Sequence, residues 1–444
     1  MKLRIVLCAF AASLALPAAA FAQAGSLGAP ELGSAAAMQS LRGKSGQSYG
    51  LKSGEFILTP SLGIDLHHDT NVFNGNEKES GNAPISATSL RLMPGLGLTN
   101  GTDSEVQFAL RATGDGRAYF TDNDAVSELT RFGGSADLGV TFFRRRAISL
   151  TLSDNFRRSL QANNWETTET LNRISNAIGA RVAFHPGEIP ERRPLEIALS
   201  GSYVLDRFDD FSAGDTSTIR SRLTGSWRFL PMTAVLLDAS WDFRSFESPS
   251  SARLTANSTP WRVQGGLAGA ITQTISFRAT AGWGMSLHDT ELDTATFSGY
   301  LADVGLLYRP SALTMLSLNY KHDFRDSFYG NYFEFHQVVA SLQQGFGSLM
   351  TATAWFSFNY ATYGEFTNLP AGVLITQKNR RDYQLTGGIR GRVDVSRLIG
   401  VNIGYTFRGV ITNFQVQSDD AAQRILDAGA YTAHELYAGV VIRY

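Results

Sequence analysis

Charged side chains recur at every second position along several stretches of the chain, where they alternate with apolar residues. In Val106–Phe120, for example, Arg111, Asp115 and Arg117 alternate with valine, phenylalanine, leucine and alanine. Arginine has a permanent charge and a planar fork that binds carboxylates and phosphates, so rows of arginine could attract anions. The same side chains could instead pair with aspartates of neighbouring strands and fill a polar interior. The pattern favours pairing and leaves anion preference as a hypothesis.

The charged residues of these alternating stretches share one predicted face. If the opposite, apolar face meets lipid, the polar face must surround a water-filled interior. The predicted lining residues are Arg111, Asp115, Arg117, Arg220, Arg222, Arg228, Asp238, Asp242, Arg244, Arg278, Asp303, Lys321, Asp323, Arg325, Arg390, Arg392, Asp394 and Arg408.

Asp69, Thr70 and Asn71 directly follow two histidines, His67 and His68. Carboxylate, amide and imidazole groups together could bind a cation or a sugar. Asp and Asn side chains also bond to their own backbone two residues on, which makes an Asx-type turn. We favour the turn.

Asp419 and Asp420 lie in the last long connection. They lack the ligand spacing of a calcium loop, so we expect a solvated pair. The segment Asp419–Ala430 could form a short helix that folds over the mouth of the interior or into it.

No constellation of catalytic residues stands out. A serine or aspartate nucleophile would need a histidine within reach, yet no Gly-x-Ser-x-Gly occurs, and only His322 and His336, on adjacent predicted strands, keep such a site open. Zinc motifs, phosphate-binding glycine loops and basic tracts do not occur. We predict no enzyme, no cofactor, no metal site and no nucleic-acid partner.

The first residues have the pattern of a signal peptide. Lys2 and Arg4 precede the apolar run Ile5–Leu16, and Ala20-Phe21-Ala22 gives a small-x-small cleavage pattern. The single cysteine, Cys8, lies inside this segment, so the mature chain can form no disulfide. We predict a signal peptide over 1–22, a flexible Ala/Gly/Ser-rich leader over 23–53 and one folded domain over 54–444.

The folded domain has period-two patterning to its last residue, in long stretches such as Val235–Phe243 and Val401–Ile411. Alternation over about 10 to 16 residues is typical of tilted membrane-spanning strands, whereas strands of soluble proteins average about 5 or 6. The predicted strands begin near Phe56, Ser89, Ser104, Glu128, Ala147, Glu169, Leu195, Thr216, Thr233, Pro260, Thr274, Ala295, Leu313, Tyr332, Leu349, Arg381, Leu398 and Ala433.

The predicted connections alternate between short and long, as in outer-membrane barrels with short periplasmic turns and long external loops. Only a closed sheet leaves no free strand edge in hydrocarbon. We therefore predict an all-β, closed antiparallel transmembrane barrel of about 18 strands, with both termini on the periplasmic side. Aromatic residues near strand ends would form its interfacial girdles: Phe120, Phe142, Phe143, Trp227, Phe229, Phe243, Tyr308, Tyr320 and Phe324.

The C-terminal strand ends on an aromatic residue. Leu436, Val440, Ile442 and Tyr444 alternate along it, a pattern that resembles the signal read by the outer-membrane barrel assembly machinery. This machinery and the lipid bilayer are therefore the expected partners.

The start of the predicted barrel resembles the outer-membrane family named β-barrel porin 2. The resemblance rests on Pro60 in the first strand, on Asp69, Asn71 and Phe73 after it, and on Pro94 in the second strand. Proline removes a ladder hydrogen bond, so we expect both prolines near the periplasmic rim or at a bulge. Some relatives belong to surface-polysaccharide export loci, which implies possible periplasmic polysaccharide-export partners.

The sequence thus predicts export to the outer membrane and a porin-like channel for hydrophilic solutes or glycans. Two alternatives remain open, namely the outer-membrane component of an exopolysaccharide export system and a non-conducting structural barrel.

Overall fold

The computed structural model describes residues 50–76, 83–100, 104–162, 171–186, 194–209, 214–247, 256–289, 296–327, 331–364, 374–375, 380–413, 416–417 and 430–444. Within these ranges, no helix is long and apolar enough to cross a membrane.

Eighteen strands of 12 to 15 residues form one sheet. They are β1 (Phe56–Asp69), β2 (Ala87–Asn100), β3 (Gln107–Phe120), β4 (Arg131–Phe142), β5 (Ile148–Ala162), β6 (Leu171–Phe184), β7 (Leu195–Phe208), β8 (Thr216–Leu230), β9 (Thr233–Phe246), β10 (Ser258–Ala270), β11 (Ile275–His288), β12 (Phe297–Tyr308), β13 (Thr314–Asp326), β14 (Tyr332–Phe346), β15 (Met350–Tyr363), β16 (Arg381–Asp394), β17 (Ile399–Thr412) and β18 (Tyr431–Arg443). The short elements are the strands Leu51–Ser53, Leu374–Ile375 and Val416–Gln417 and the helix α1 (Asp124–Ser127).

The sheet closes on itself. Each strand is antiparallel to its neighbour along the chain, and β1 pairs with both β2 and β18, with Ser61 opposite Arg443 and His68 opposite Leu436. Closure gives every strand a partner on both sides, which is what a sheet needs where no water can satisfy its backbone. The predicted all-β, closed antiparallel barrel of 18 strands is confirmed.

The strand starts lie within three residues of those predicted from alternation. The offset at β4 has a local cause. The Asn123 side chain caps the N-terminus of helix α1 by accepting a hydrogen bond from the backbone of Val126 at 3.3 Å. The helix uses residues up to Ser127, so β4 begins at Arg131 and not near Glu128.

The connections differ in length at the two ends of the barrel. At the end that holds Tyr444, β8 and β9 are joined by residues 231–232 alone, and β14 and β15 by 347–349. At the other end, residues 70–86, 364–380 and 413–430 make the longest connections. We call these the short-connection end and the long-connection end. The predicted alternation is confirmed, and residues 185–194 are the exception at the short-connection end, as the sequence indicates.

Pro60 and Pro94 behave differently. Pro60 lies at the short-connection end, where its carbonyl accepts the N–H of Tyr444 at 3.1 Å. Pro94 lies in the middle of β2, and the β2–β3 pairing is interrupted there, between Leu92 and Gly95. The expectation of a rim or bulge position was wrong for Pro94, because the strand accommodates its missing donor by losing local pairing without a register shift.

The two faces of the sheet differ in chemistry. On β9, Val235, Leu237 and Trp241 are exposed, whereas Asp238 and Asp242 alternate with them on the other side. Large apolar side chains are exposed in this way on every strand. The described residues form no central apolar core, and the buried apolar ones make small clusters near the long-connection end.

Candidate functional site

The polar face of the sheet is its concave, inner face. Arg443 of β18 contacts Asp394 of β16 at 2.5 Å, and Arg408 of β17 contacts Asp69 of β1 at 2.6 Å. In both pairs one strand lies between the partners. Side chains converge across an intervening strand on the concave side, so these groups surround the lumen of the barrel.

The structure brings the predicted lining residues together on this inner face. Their strand partners follow one alternation, with Arg111 opposite Asp137, Asp242 opposite Arg220 and Asp303 opposite Lys321. The positions that share the inner face by register are Arg111, Asp115, Arg117, Arg220, Arg222, Arg228, Asp238, Asp242, Arg244, Arg278, Asp303, Lys321, Asp323, Arg325, Arg390, Arg392, Asp394 and Arg408. Their role in conduction remains a prediction.

Many of these charges are paired. Asp115 accepts two hydrogen bonds from Arg91, at 2.6 and 2.7 Å, and a third from Arg117 at 3.3 Å. Arg222 Nε is 2.9 Å from Asp238 Oδ1. Pairing across strands, which the sequence favours, therefore accounts for much of the inner face.

Three of the predicted lining arginines have no such partner. Within the described part of the chain, no carboxylate lies within 4.0 Å of a guanidinium nitrogen of Arg111, Arg278 or Arg325. Arg325 lies over the ring of Phe335 instead, with its guanidinium carbon 5.3 Å from the centroid. The positive charges of these three arginines are therefore not compensated by a contacting carboxylate among the described residues.

The long-connection end of β13 bends into the lumen. Pairing between β12 and β13 stops at Ala302 and His322, while β13 and β14 stay paired as far as Asp326 and Tyr332. The last residues of β13 leave the wall and lie against the inner side of β9, β10 and β11. We call residues 323–326 with 331–335 the infolded hairpin.

Arg262 of β10 holds the infolded hairpin from the wall. Its Nε donates to Asp323 Oδ1 at 2.9 Å, and its Nη2 donates to the carbonyl of Phe324 at 2.7 Å. Its guanidinium carbon also lies 4.1 Å from the centroid of the Phe324 ring. The Arg262 side chain thus binds both the carboxylate of Asp323 and the backbone of the bend.

Asp326, at the tip of β13, is bound by three strands. Its carboxylate accepts hydrogen bonds from Arg244 Nη1 at 3.0 Å, from Ser258 Oγ at 2.6 Å and from Ser286 Oγ at 3.0 Å. His288 Nε2 lies 3.1 Å from the carbonyl oxygen of Asn331, on the next residues of the hairpin. These contacts narrow the lumen at the long-connection end.

Phe324 is the apolar anchor of the bend. It is fully buried, stacks on Phe297 at 4.3 Å between centroids, and packs with Leu301 and Tyr332. A Cβ on Gly284 would lie only 2.6 Å from its ring, so β11 needs glycine there. The expectation that Phe324 belongs to the interfacial girdle was wrong, because the bend of β13 turns this position inward.

A second aromatic cluster joins the infolded hairpin to β15. Phe333, Phe335 and Tyr363 are buried together. Arg380 lies over the Tyr363 ring, with its guanidinium carbon 4.4 Å from the centroid, and pairs with Asp382 at 2.6 Å. Sequence reasoning missed this cluster, although the spacing Phe333-x-Phe335 puts two aromatic rings on the polar face.

A histidine lines the opposite wall. His67 Nδ1 is 2.6 Å from Glu435 Oε1, and its ring stacks on Tyr437 at 5.1 Å. Asp65, on the same strand, accepts a hydrogen bond from Asn402 at 3.2 Å. The predicted cation or sugar site at His67–Asn71 is therefore divided, since His68 lies on the outer face, 3.0 Å from Thr88 Oγ1.

Asp69 and Asn71 form the predicted turn. The N–H of Asn71 donates to Asp69 Oδ1 at 2.8 Å, and the Asn71 amide donates to the carbonyl of Thr432 at 2.9 Å. Val72 is buried against Val126 of helix α1, and Phe73 packs on the same cluster. Asp69, Asn71 and Phe73 thus hold the start of the connection between β1 and β2.

The remaining sequence candidates lie outside the lumen. Leu436, Val440, Ile442 and Tyr444 are exposed on the outer face of the last strand. His322 and His336 stack there at 4.3 Å, beside Tyr300. No group of three or more metal-ligating side chains occurs among the residues that the structure describes. Asp419–Asp420 and most of Asp419–Ala430 lie outside those residues.

The chain has only weak similarity to known proteins. No family model matches the chain, and no curated protein matches it in sequence. Among solved structures, OccAB3 of Acinetobacter baumannii has 12% sequence identity and a TM-score of 0.48, and the alignment covers 88% of this chain and 100% of that one. OpdL and the outer membrane protein OpdK, both of Pseudomonas aeruginosa, each have 10% identity and a TM-score of 0.46; the alignments cover 88% and 87% of this chain and 99% of each of those. Likenesses this low assign no family, and the similarity to β-barrel porin 2 stays a resemblance of motif.

Proposed function

We propose that the protein is an outer-membrane channel through which small hydrophilic solutes diffuse. The observation that carries the proposal is the inversion of the two faces. A closed barrel that exposes apolar side chains outward and charged side chains inward is built to lie in lipid around water. A barrel of 16 to 18 strands is wide enough for an aqueous channel.

The infolded hairpin and the unpaired arginines are expected to set the width and the ion selectivity of the channel. The hairpin narrows the long-connection end, and Arg111, Arg278 and Arg325 add positive charge to the lumen. Fixed charges along a narrow pore select among ions. We infer a preference for small anions over cations, with glycans as the larger alternative cargo.

The location and the export route are part of the proposal. The signal peptide over 1–22, the leader over 23–53 and the terminal aromatic Tyr444 together fit export to the periplasm and insertion by the barrel assembly machinery. The short-connection end would then face the periplasm. Periplasmic polysaccharide-export proteins would be partners only if the cargo is a glycan.

Single-channel recording in a planar bilayer tests the function. The refolded barrel should give stable conductance steps, and a salt gradient should give a reversal potential of the sign for anions. Silence from a demonstrably folded barrel would remove the open-channel proposal in favour of a structural barrel or an exporter that opens only with a partner. Cation preference would remove the anion inference alone.

A further inference from the structure

A carboxylate stands in the middle of the outward, apolar face. Asp154 is near the centre of β5, between Leu152 and Phe156 on the same side of the strand. Its partners on the neighbouring strands are Leu138 and Ile178. Paired residues of a sheet point to the same face, and these four apolar side chains are all exposed. Asp154 therefore projects from the outer surface.

Asn176 of β6 lies beside Asp154 on this face. Its Nδ2 donates to Asp154 Oδ1 at 2.8 Å, and its own strand partner is the exposed Phe156. Other Asp, Glu, Lys or Arg side chains that face outward from the described strands lie close to the long-connection end: Arg158, Arg207, Glu334 and Arg381. The Asp154–Asn176 pair differs from them because it lies midway between the two ends of the barrel.

The pair is incompletely satisfied by the part of the chain that the structure describes. One oxygen of Asp154 and one amide hydrogen of Asn176 are used on each other, which leaves Asp154 Oδ2, the second Asn176 amide hydrogen and Asn176 Oδ1. Hydrocarbon offers neither donor nor acceptor, and a charge at the depth of the bilayer centre is costly unless a partner covers it. A polar group supplied from outside the described residues would therefore stabilise the pair in a bilayer.

A groove of about 730 Å³ lies next to the pair. Its floor includes Ala112, Gly134 and Ala136, and Pro94 and Phe156 stand at its sides. Two convex barrels touch over little area unless one surface is indented, and small residues allow close approach within a membrane. A row of paired residues runs across the strands from β6 to β3, namely Asn176, Phe156, Ala136 and Ala112. The groove and the polar pair therefore form one surface.

We propose that this surface, formed by β3–β6, docks a second copy of the same chain. A two-fold arrangement presents the same patch on both barrels. The free amide hydrogen of Asn176 on each copy can then donate to Asp154 Oδ2 of the other, so each copy donates one hydrogen bond and accepts one. Phe156 of each copy offers an aromatic ring to the groove of the other. The proposal rests on the barrel spanning a membrane and is independent of what the lumen conducts.

Crosslinking in proteoliposomes tests the contact. Cys8 lies in the predicted signal peptide, so the mature chain offers no competing thiol. Ile178→Cys places a thiol beside Asp154, and Ile389→Cys places one on β16, with similar exposure (58% and 55%) and at a similar height. At equal lipid dilution, a short bismaleimide should join two Ile178→Cys barrels about tenfold more than two Ile389→Cys barrels.

Two further substitutions separate this contact from random collision. Asp154→Leu, in the Ile178→Cys background, should lower the crosslinked dimer about tenfold while heat-modifiable migration shows an intact barrel. Asp154→Glu keeps two acceptor oxygens and should retain more of the dimer than Asp154→Leu, whereas Asp154→Asn puts an amide donor in place of Oδ2 and should also lower the dimer. Equal crosslinking at the two cysteine sites, or an undiminished dimer in Asp154→Leu, would overturn the proposal. So would monomers throughout in lipid, because the surface would then have another occupant.

Discussion

Arg325 places a positive charge in the lumen and contacts the aromatic ring of Phe335. Its guanidinium is held over Phe335 and has no carboxylate within 4.0 Å among the described residues. We predict that Arg325→Gln lowers the anion-to-cation permeability ratio about twofold, because an uncompensated positive charge leaves the narrow part of the lumen. The reversal potential in a salt gradient measures this ratio.

A charge-neutral change elsewhere on the inner face is the control. Arg222 and Asp238 pair on β8 and β9, so the double variant Arg222→Gln/Asp238→Asn removes one charge of each sign. Its reversal potential should match that of the unchanged protein. If Arg325→Gln also leaves the reversal potential unchanged, Arg325 does not set the ion selectivity.

Among the described residues, Arg380 and Asp382 form the most deeply buried ion pair of the inner face, with no exposed side-chain surface on either partner. Arg380→Met removes one partner and leaves a carboxylate uncompensated, which costs about 3–5 kcal/mol of unfolding free energy. Urea titration of the barrel in liposomes measures the loss. The double variant Arg380→Met/Asp382→Leu should recover most of it, since the cost lies in the unpaired charge.

At the scale of elements, the bend of β13 decides the shape of the lumen. The bend is fixed by a few polar contacts to β9–β11 and by the buried ring of Phe324. A strand that leaves its neighbour gives up ladder hydrogen bonds, so the contacts of its side chains must offset that loss. The infolded hairpin is therefore sensitive to single substitutions.

We predict that Asp326→Ala raises single-channel conductance on the order of twofold, because Arg244, Ser258 and Ser286 lose their shared acceptor and the hairpin tip is released. Asp326→Asn keeps a side-chain oxygen acceptor and should change conductance less. Planar-bilayer recording compares the three proteins. Unchanged conductance in Asp326→Ala would show that the hairpin does not limit flow.

At the scale of the whole molecule, closure of the sheet is what holds every strand in place. Each strand has two neighbours, and the pairing of β1 with β18 joins residues at opposite ends of the chain. The buried clusters are small because the centre of the barrel holds polar side chains. Stability comes from the backbone ladder and from the apolar outer surface placed in lipid.

Tyr444 tests whether the last strand carries an assembly signal. Its side chain is 56% exposed and its backbone N–H donates to Pro60, so Tyr444→Ala removes little that the folded barrel needs. We predict about tenfold less folded barrel in outer membranes of expressing cells but normal refolding in detergent, as judged by heat-modifiable migration. Equal loss in both assays would make Tyr444 a stability residue.

The sequence alone determined the architecture. A side-chain period of two over 12 to 15 residues marks each strand, and alternating connection lengths order the strands, so Thr216, Thr233 and Arg381 were predicted as strand starts without error. The same period assigned the charged residues to one face. It works because neighbouring residues of a strand must point to opposite sides.

Only the tertiary structure shows which side chains do not point to the face that the period of two predicts. Phe324 and Asp326 belong to the outer face by alternation, yet the bend of β13 brings both inside. Which arginines are paired depends on register and on contacts across an intervening strand, as for Arg408 and Asp69. Alternation marks Asp154 as a charge on the apolar face, but its contact with Asn176 follows only from the pairing of β5 with β6. Such contacts join residues far apart in the chain, and no local spacing encodes them.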